Sequence, residues 1–303
     1  MDGLAPSRPL SFLGTTMFGI IGIVFLNVCV FGSFLVGGGS LAPFIHAAPI
    51  EGWCILGSAI GGMLIGNSPD VVKAVLAGIG RCFKGSKYHK EDYLNTIFCV
   101  SKVMKTLKAE GAVALEAHIE TPESSSIFSE YPKLLADHAL LHLITDTVRL
   151  MVVSQGTLSP MAVEEVMDSA MKTHHHDELK ASDAIATLAG ALPALGIVSC
   201  VMGVVKTMEQ IDQPPAVLGG LVGAALVGTF IGVFLAYGFF EPFAKRLAQV
   251  IEDEACMYGV VKQIIIGTMH GHPMPLILEA ARVCISHHNQ PSFAEVFDGL
   301  RGK

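Results

Sequence analysis

Pro193, Gly196, Cys200, Gly203 and Thr207 follow one another at steps of three and four, so on a helix they make one continuous stripe of small side chains. A second apolar stretch carries Gly219/Gly223 and Gly228/Gly232, with Thr229 among them, a spacing that lets membrane helices approach backbone to backbone. Pro193 has no N–H, so the carbonyl of Ala189 needs another donor or a water, and a kink or hinge is expected there. Glycine and proline are common in membrane helices. Gathered around a lone threonine, they read as the wall of an ion path. One part is missing from that wall: neither stretch contains Asp, Glu, His or Arg. A cation crossing a bilayer needs an ionisable side chain near the midplane, so if this chain conducts, another chain brings the carboxylate.

Both stretches lie in Ala184–Phe240, on either side of a polar turn at Glu209–Pro215. No residue between Asp183 and Lys206, or between Asp212 and Glu241, is charged, so each crosses a hydrocarbon core of about 30 Å. The expected spans are residues 184–207 and 216–240. Phe12–Val36 is a further span, and the apolar run is too long, with too few flanking cations and no convincing cleavage site, for a signal peptide. After a glycine-rich turn at Gly37–Pro49, a shorter span is expected at about residues 52–66. The fold class is an all-α membrane protein: four transmembrane helices in two hairpins, with a helical aqueous domain. The expected divisions are 1–69, 70–181, 182–242 and 243–303.

Of 303 residues, 51% are hydrophobic, and the mean hydropathy of +0.54 is too high for an ordinary soluble chain. A net charge of −7 lacks the basic footprint of a nucleic-acid binder. Seven cysteines without a C-x-x-C read as reduced thiols, neither disulfides nor a zinc site. Twelve of the twenty Lys and Arg lie in residues 73–180 and six in 245–303, while the turns at 37–52 and 209–216 hold none. Both termini and the large loop are therefore expected on the cytoplasmic side.

That loop needs structure of its own. Helices are expected over Asp92–Ala117, with a possible break at Gly111, over Tyr131–Val153, and from Ser159-Pro160 to about Lys172. Further helices are expected from Phe243 to Ile266 and from Pro275 to Ser286. His174, His175 and His176 point in different directions on a helix and make a poor metal site. The same holds for His270/His272 and His287/His288. No P-loop, G-x-S-x-G or other catalytic spacing is present, so the chain does not read as an enzyme.

Longer stretches carry a family resemblance. Leu192-Pro193-Ala194-Leu195-Gly196-Ile197-Val198 with Met202-Gly203-Val204-Val205, and Val227-Gly228-Thr229-Phe230-Ile231-Gly232 through Ala236-Tyr237-Gly238 to Pro242, resemble the MotA family of flagellar motor stator subunits. Ser86-Lys87-Tyr88, Ile127-Phe128 with Tyr131-Pro132, Leu134-Leu135-Ala136-Asp137 and Pro291-Ser292-Phe293 extend the likeness over nearly the whole chain. The resemblance implies a bacterial inner-membrane protein that assembles as a pentamer around two MotB chains. MotB would supply the ion-carrying aspartate and the cell-wall anchor, and the complex would turn ion flow into torque for motility. It implies that Pro193 and Pro242 couple ion flow to movement and that Thr229 faces the ion path. Gly196, Gly203, Gly228 and Gly232 would pack around the partner helices. Lys108 and Glu116 fall where the family contacts the rotor protein FliG; the first is an Arg in better-known members, and Lys keeps the charge without the bidentate fork.

Sodium-driven relatives look to carry a threonine where this chain has Cys200. A thiol is a poor ligand for a hard cation, so the expected coupling ion is the proton, with no other cofactor. Two alternatives stand beside this reading: an ExbB/TolQ-like energiser of envelope transport, which looks to have three spans, and a membrane scaffold that conducts nothing.

Overall fold

The computed structural model describes residues 10–154 and 157–301. Every regular element among them is helical. Helix α1 (Leu10–Asn27) passes through a π-turn at Val28–Gly32 into a last turn at Ser33–Val36. It is followed by α2 (Ala42–Gly66), α3 (Pro69–Lys84), α4 (Lys90–Glu110), α5 (Ala112–Glu120) and α6 (His138–Val153). Then come α7 (Pro160–Met208), α8 (Pro215–Leu235), a π-turn at Ala236–Phe240, α9 (Glu241–Met269), α10 (Met274–Val283) and α11 (Phe293–Arg301). Among the described residues four stretches are long and apolar enough to cross a membrane: Met17–Val36, Ala42–Gly66, and parts of Pro160–Met208 and Pro215–Met269.

Several boundaries differ from those expected. The second span begins at Ala42, not near residue 52, because Pro43 suits a helix start and Pro49 does not stop it. Glu51 therefore lies inside a span. The helix opening at Pro160 continues past Lys172 into the third span, since neither glycine nor proline interrupts residues 173–189. Pro193 sits within that helix without ending it. Helix α11 was not foreseen, although its start is a reciprocal cap: Glu295 N donates to Ser292 Oγ at 3.3 Å, and Ser292 N donates to Glu295 Oε2 at 2.7 Å.

The chain forms two compact units that cut across the expected divisions: Met1–Gly85 with Glu178–Val250, and Ser86–Asp177 with Ile251–Lys303. Helix α3 and the first turns of α9 thus belong with the spans. In this membrane unit Ile55, Ala59, Leu188, Leu192 and Ala236 form a buried cluster joined by α2, α7 and the turn after α8. Phe31, Phe44, Phe230 and Phe234 add edge-to-face ring contacts 5.1–6.3 Å apart. Amphipathic α3 turns Val75, Gly78 and Cys82 inward, and a methyl group on Gly78 would meet Leu247 of α9 at 2.7 Å. Arg81 pairs with Glu178 at 2.7 Å, and Ser182 Oγ donates to the Ala244 carbonyl at 2.8 Å.

The second unit has a core of large apolar side chains. Tyr93, Ile97 and Met104 of α4, Leu115 of α5, Phe128, Ile144 of α6, Met167 of α7 and Ile264 of α9 are fully buried in it. Gly111 takes φ +84°, which a residue with a Cβ rarely adopts, and it separates α4 from α5.

Candidate functional site

The stripe from Pro193 onward meets the Thr229 segment directly. A methyl group on Gly232 would stand 2.6 Å from the Leu192 carbonyl oxygen. One on Gly196 would stand 2.9 Å from the Gly228 oxygen and 3.3 Å from the Thr229 Cα. Lower on the same crossing, Gly203 faces Ala225, whose Cβ would be 2.6 Å away. These glycines let α7 and α8 touch main chain to main chain, where any side chain would wedge them apart. Gly196, Gly203, Gly228 and Gly232, expected to pack around a partner helix, here close the hairpin of this chain. A methyl group on Gly219 or Gly223, by contrast, would meet nothing from another described element within 4 Å.

The structure therefore gathers Pro193 and Thr229 at one crossing, each half-buried. Cys200 adjoins it, its backbone nitrogen 3.4 Å from where a Gly228 Cβ would lie. Thr207, at the end of the stripe, is buried and returns its hydroxyl to the Gly203 carbonyl at 2.9 Å. Pro242 is apart from this cluster. It follows the π-turn at Ala236–Phe240, which loosens the helical hydrogen-bond ladder where a proline would leave a carbonyl unpaired.

Two residues of this site, Glu51 and Ser199, are not marked by the sequence. Ser199, 3% exposed, donates its hydroxyl to Glu51 Oε2, and that carboxylate would lie 3.0 Å from a methyl group on Gly228. An acidic side chain thus stands where α2, α7 and α8 meet. The signal is Glu51 directly before the apolar run, within reach of a helix that starts at Ala42.

In the second unit Lys108 and Glu116 are both exposed, on α4 and α5 either side of Gly111, and neither forms an ion pair with any described residue. Their neighbours do: Lys102 pairs with Glu130 at 2.7 Å, and Arg149 with Glu120 at 2.6 Å. Ser86-Lys87-Tyr88 and Leu134–Asp137 come together around Asp137, beside a cleft of about 540 Å³. Asp137 accepts from Tyr88 Oη at 2.5 Å and from Lys87 Nζ at 2.7 Å, and caps α6 by accepting from Leu140 N at 3.3 Å. Burial works to raise the Asp137 carboxyl, but the bonds from Lys87 and Tyr88 outweigh it and hold it below the usual aspartate range. Burial, with nearby Tyr258 and Asp137, pushes the Tyr88 hydroxyl far up, so it stays a donor. Asp92 accepts from Lys133 at 2.9 Å in the same cleft. His174 is engaged with Tyr258, whose Oη lies 2.9 Å from its Nε2.

The family described as "Motility protein A N-terminal" matches residues 20–111, and "MotA/TolQ/ExbB proton channel family" matches residues 136–258. Motility protein A of Escherichia coli (strain K12) is 34% identical over 282 residues, 93% of this chain and 94% of that protein. The chain belongs to the motility protein A family. Two solved structures share the fold: C. jejuni MotAB, with a TM-score of 0.69, 18% identity and coverage of 94% of this chain and 99% of that one, and the flagellar MotAB stator complex from Bacillus subtilis. The second has a TM-score of 0.64, 21% identity and coverage of 86% and 92%. Family membership places the glycine-lined α7–α8 crossing in a channel subunit, not an enzyme.

Proposed function

We infer that this chain is a stator subunit of the bacterial flagellar motor, which forms an ion channel together with a MotB-type partner. The observation that carries this is the end-to-end match to motility protein A, joined to a pair of spans packed backbone to backbone around Thr229. The partner's helices bring the titrating aspartate. Its neutralisation by the passing ion changes which packing is favoured in a narrow, low-dielectric site. Pro193, and the π-turn with Pro242, are the points where the spans can yield, and their movement carries into the helices bearing Lys108 and Glu116. The chain sits in the bacterial cytoplasmic membrane with both termini inside, as five copies around two partner chains.

The coupling ion is the proton. Cys200 supports this, since its thiol is a poor ligand for sodium. The rotor contact runs through Lys108 and Glu116 to the rotor protein FliG: both are exposed and form no ion pair with a described residue, free to meet opposite charges. The test is to supply this chain, with its partner, to a bacterium lacking its own stator and to follow single-motor rotation. Rotation that persists when sodium is replaced, and stops when the proton gradient is collapsed, supports the reading; loss of torque on removing sodium alone overturns the proton assignment. Replacing Thr229 by Trp should abolish rotation with the complex still assembled.

A further inference from the structure

We propose that Glu51 is an ion-carrying acid of this chain's own: the proton moving through the channel binds its carboxyl, held by Ser199 at the crossing of α2, α7 and α8. The proposal rests on the channel reading above.

Depth comes first. Glu51 lies nine residues into α2 from Ala42, and Ser199 lies nine residues before the end of α7 at Met208. At about 1.5 Å per residue each is roughly 14 Å from its helix end, well within a hydrocarbon core of about 30 Å. Two spans thus converge on one level. The chemistry comes next. A carboxylate at that depth is costly, and no Lys, Arg or His among the described residues pairs with it. Its partner is one hydroxyl, from the almost fully buried Ser199. Glu51 itself is half-buried, and one neutral donor does not balance a charge held at membrane depth, so the site has room for a cation. A metal ion needs a fuller shell of oxygens, whereas a proton needs only this one.

The surroundings point the same way. Pro49, two residues earlier, leaves the Ile45 carbonyl of α2 without a helical donor, a second polar group on the same helix toward the Ala42 end. Gly228 meets the carboxylate directly, and Thr229 is the next residue. The acid of α2 therefore abuts the segment assigned to the ion wall. Glu51 was absent from that wall only because it comes from a different span.

The experiment uses the complex of the full chain with its partner, reconstituted into vesicles, with proton uptake driven by an imposed potential and assembly checked by co-purification. Glu51→Gln keeps an acceptor for Ser199 but cannot carry a proton, and should lower uptake about a hundredfold with assembly intact. Glu51→Asp should restore most of it. Ser199→Ala, which removes the one hydrogen-bond donor to Glu51 among the described residues, should lower uptake about tenfold. Uptake by Glu51→Gln within about twofold of the native rate would show that the carboxyl only ties helices together, and would overturn the proposal. Should Glu51→Gln lose its partner, Ser199→Ala and Gly228→Ala decide: reduced uptake in assembled complexes supports the proposal, and unchanged uptake in both overturns it. A native complex that takes up no protons overturns the channel reading itself, and this proposal with it.

Discussion

The membrane unit and the aqueous unit are both all-helical, yet different atoms hold them together. In the first, the crossing of α7 and α8 is built from Gly196, Gly203, Gly228 and Gly232, where a single added methyl would meet main-chain atoms or the neighbouring Ala225. In the second, Phe128, Tyr93, Met104 and Ile264 interlock as side chains. Water explains the contrast. Burying large apolar groups is favourable only relative to water, at roughly 25 cal/mol per Å². Lipid offers no such reward, so close backbone contact and polar pairing must do the binding. A contact surface without bulk also places small groups such as Thr229, Cys200 and Ser199 at the helix crossing itself, where a packed aqueous core carries large side chains.

The comparison can be broken at several points. The largest effect is expected in the aqueous core: Phe128→Ala should cost about 4 kcal/mol in chemical unfolding, because it leaves a ring-sized cavity. Next comes the opposite change in the membrane unit. Gly232→Val should cost about 3 kcal/mol or more through overpacking, read as loss of the intact complex in detergent. Gly223→Val, facing open space, should leave the isolated chain's fold intact, and equal damage from both would refute the backbone-contact account. Smaller is Asp137→Asn, expected to cost about 2 kcal/mol by removing a charged hydrogen-bond partner of Lys87 and Tyr88. The sign follows from its lowered value: the folded aspartate holds its proton less tightly than the unfolded one, so its stabilisation is present above the ordinary aspartate range and fades as pH falls through the lowered value. The acid limb of a stability profile should therefore flatten in Asp137→Asn. Smallest in stability are charge reversals of Lys108 and Glu116, expected within about 0.5 kcal/mol, with torque lost and partly recovered by opposite reversals on the rotor.

Some of this was readable in advance. Uncharged runs of span length marked the third and fourth spans, because lipid tolerates few charges and demands internally satisfied backbone. Step-of-three-and-four spacing identified the small-residue face. The same spacing did not say what would fill it: a glycine stripe looks alike whether it meets its own hairpin partner or another chain.

What the sequence by itself determined was the helical class, four apolar crossings and the bare face on the third, since these follow from local composition and period. Tertiary structure alone decided that this face is closed by α8, that α3 and the start of α9 join the spans, and that Glu51 meets Ser199 across 148 positions of chain. Such pairings depend on which helices lie side by side, a choice made by the sum of many weak contacts distant along the chain, and no local window holds that sum.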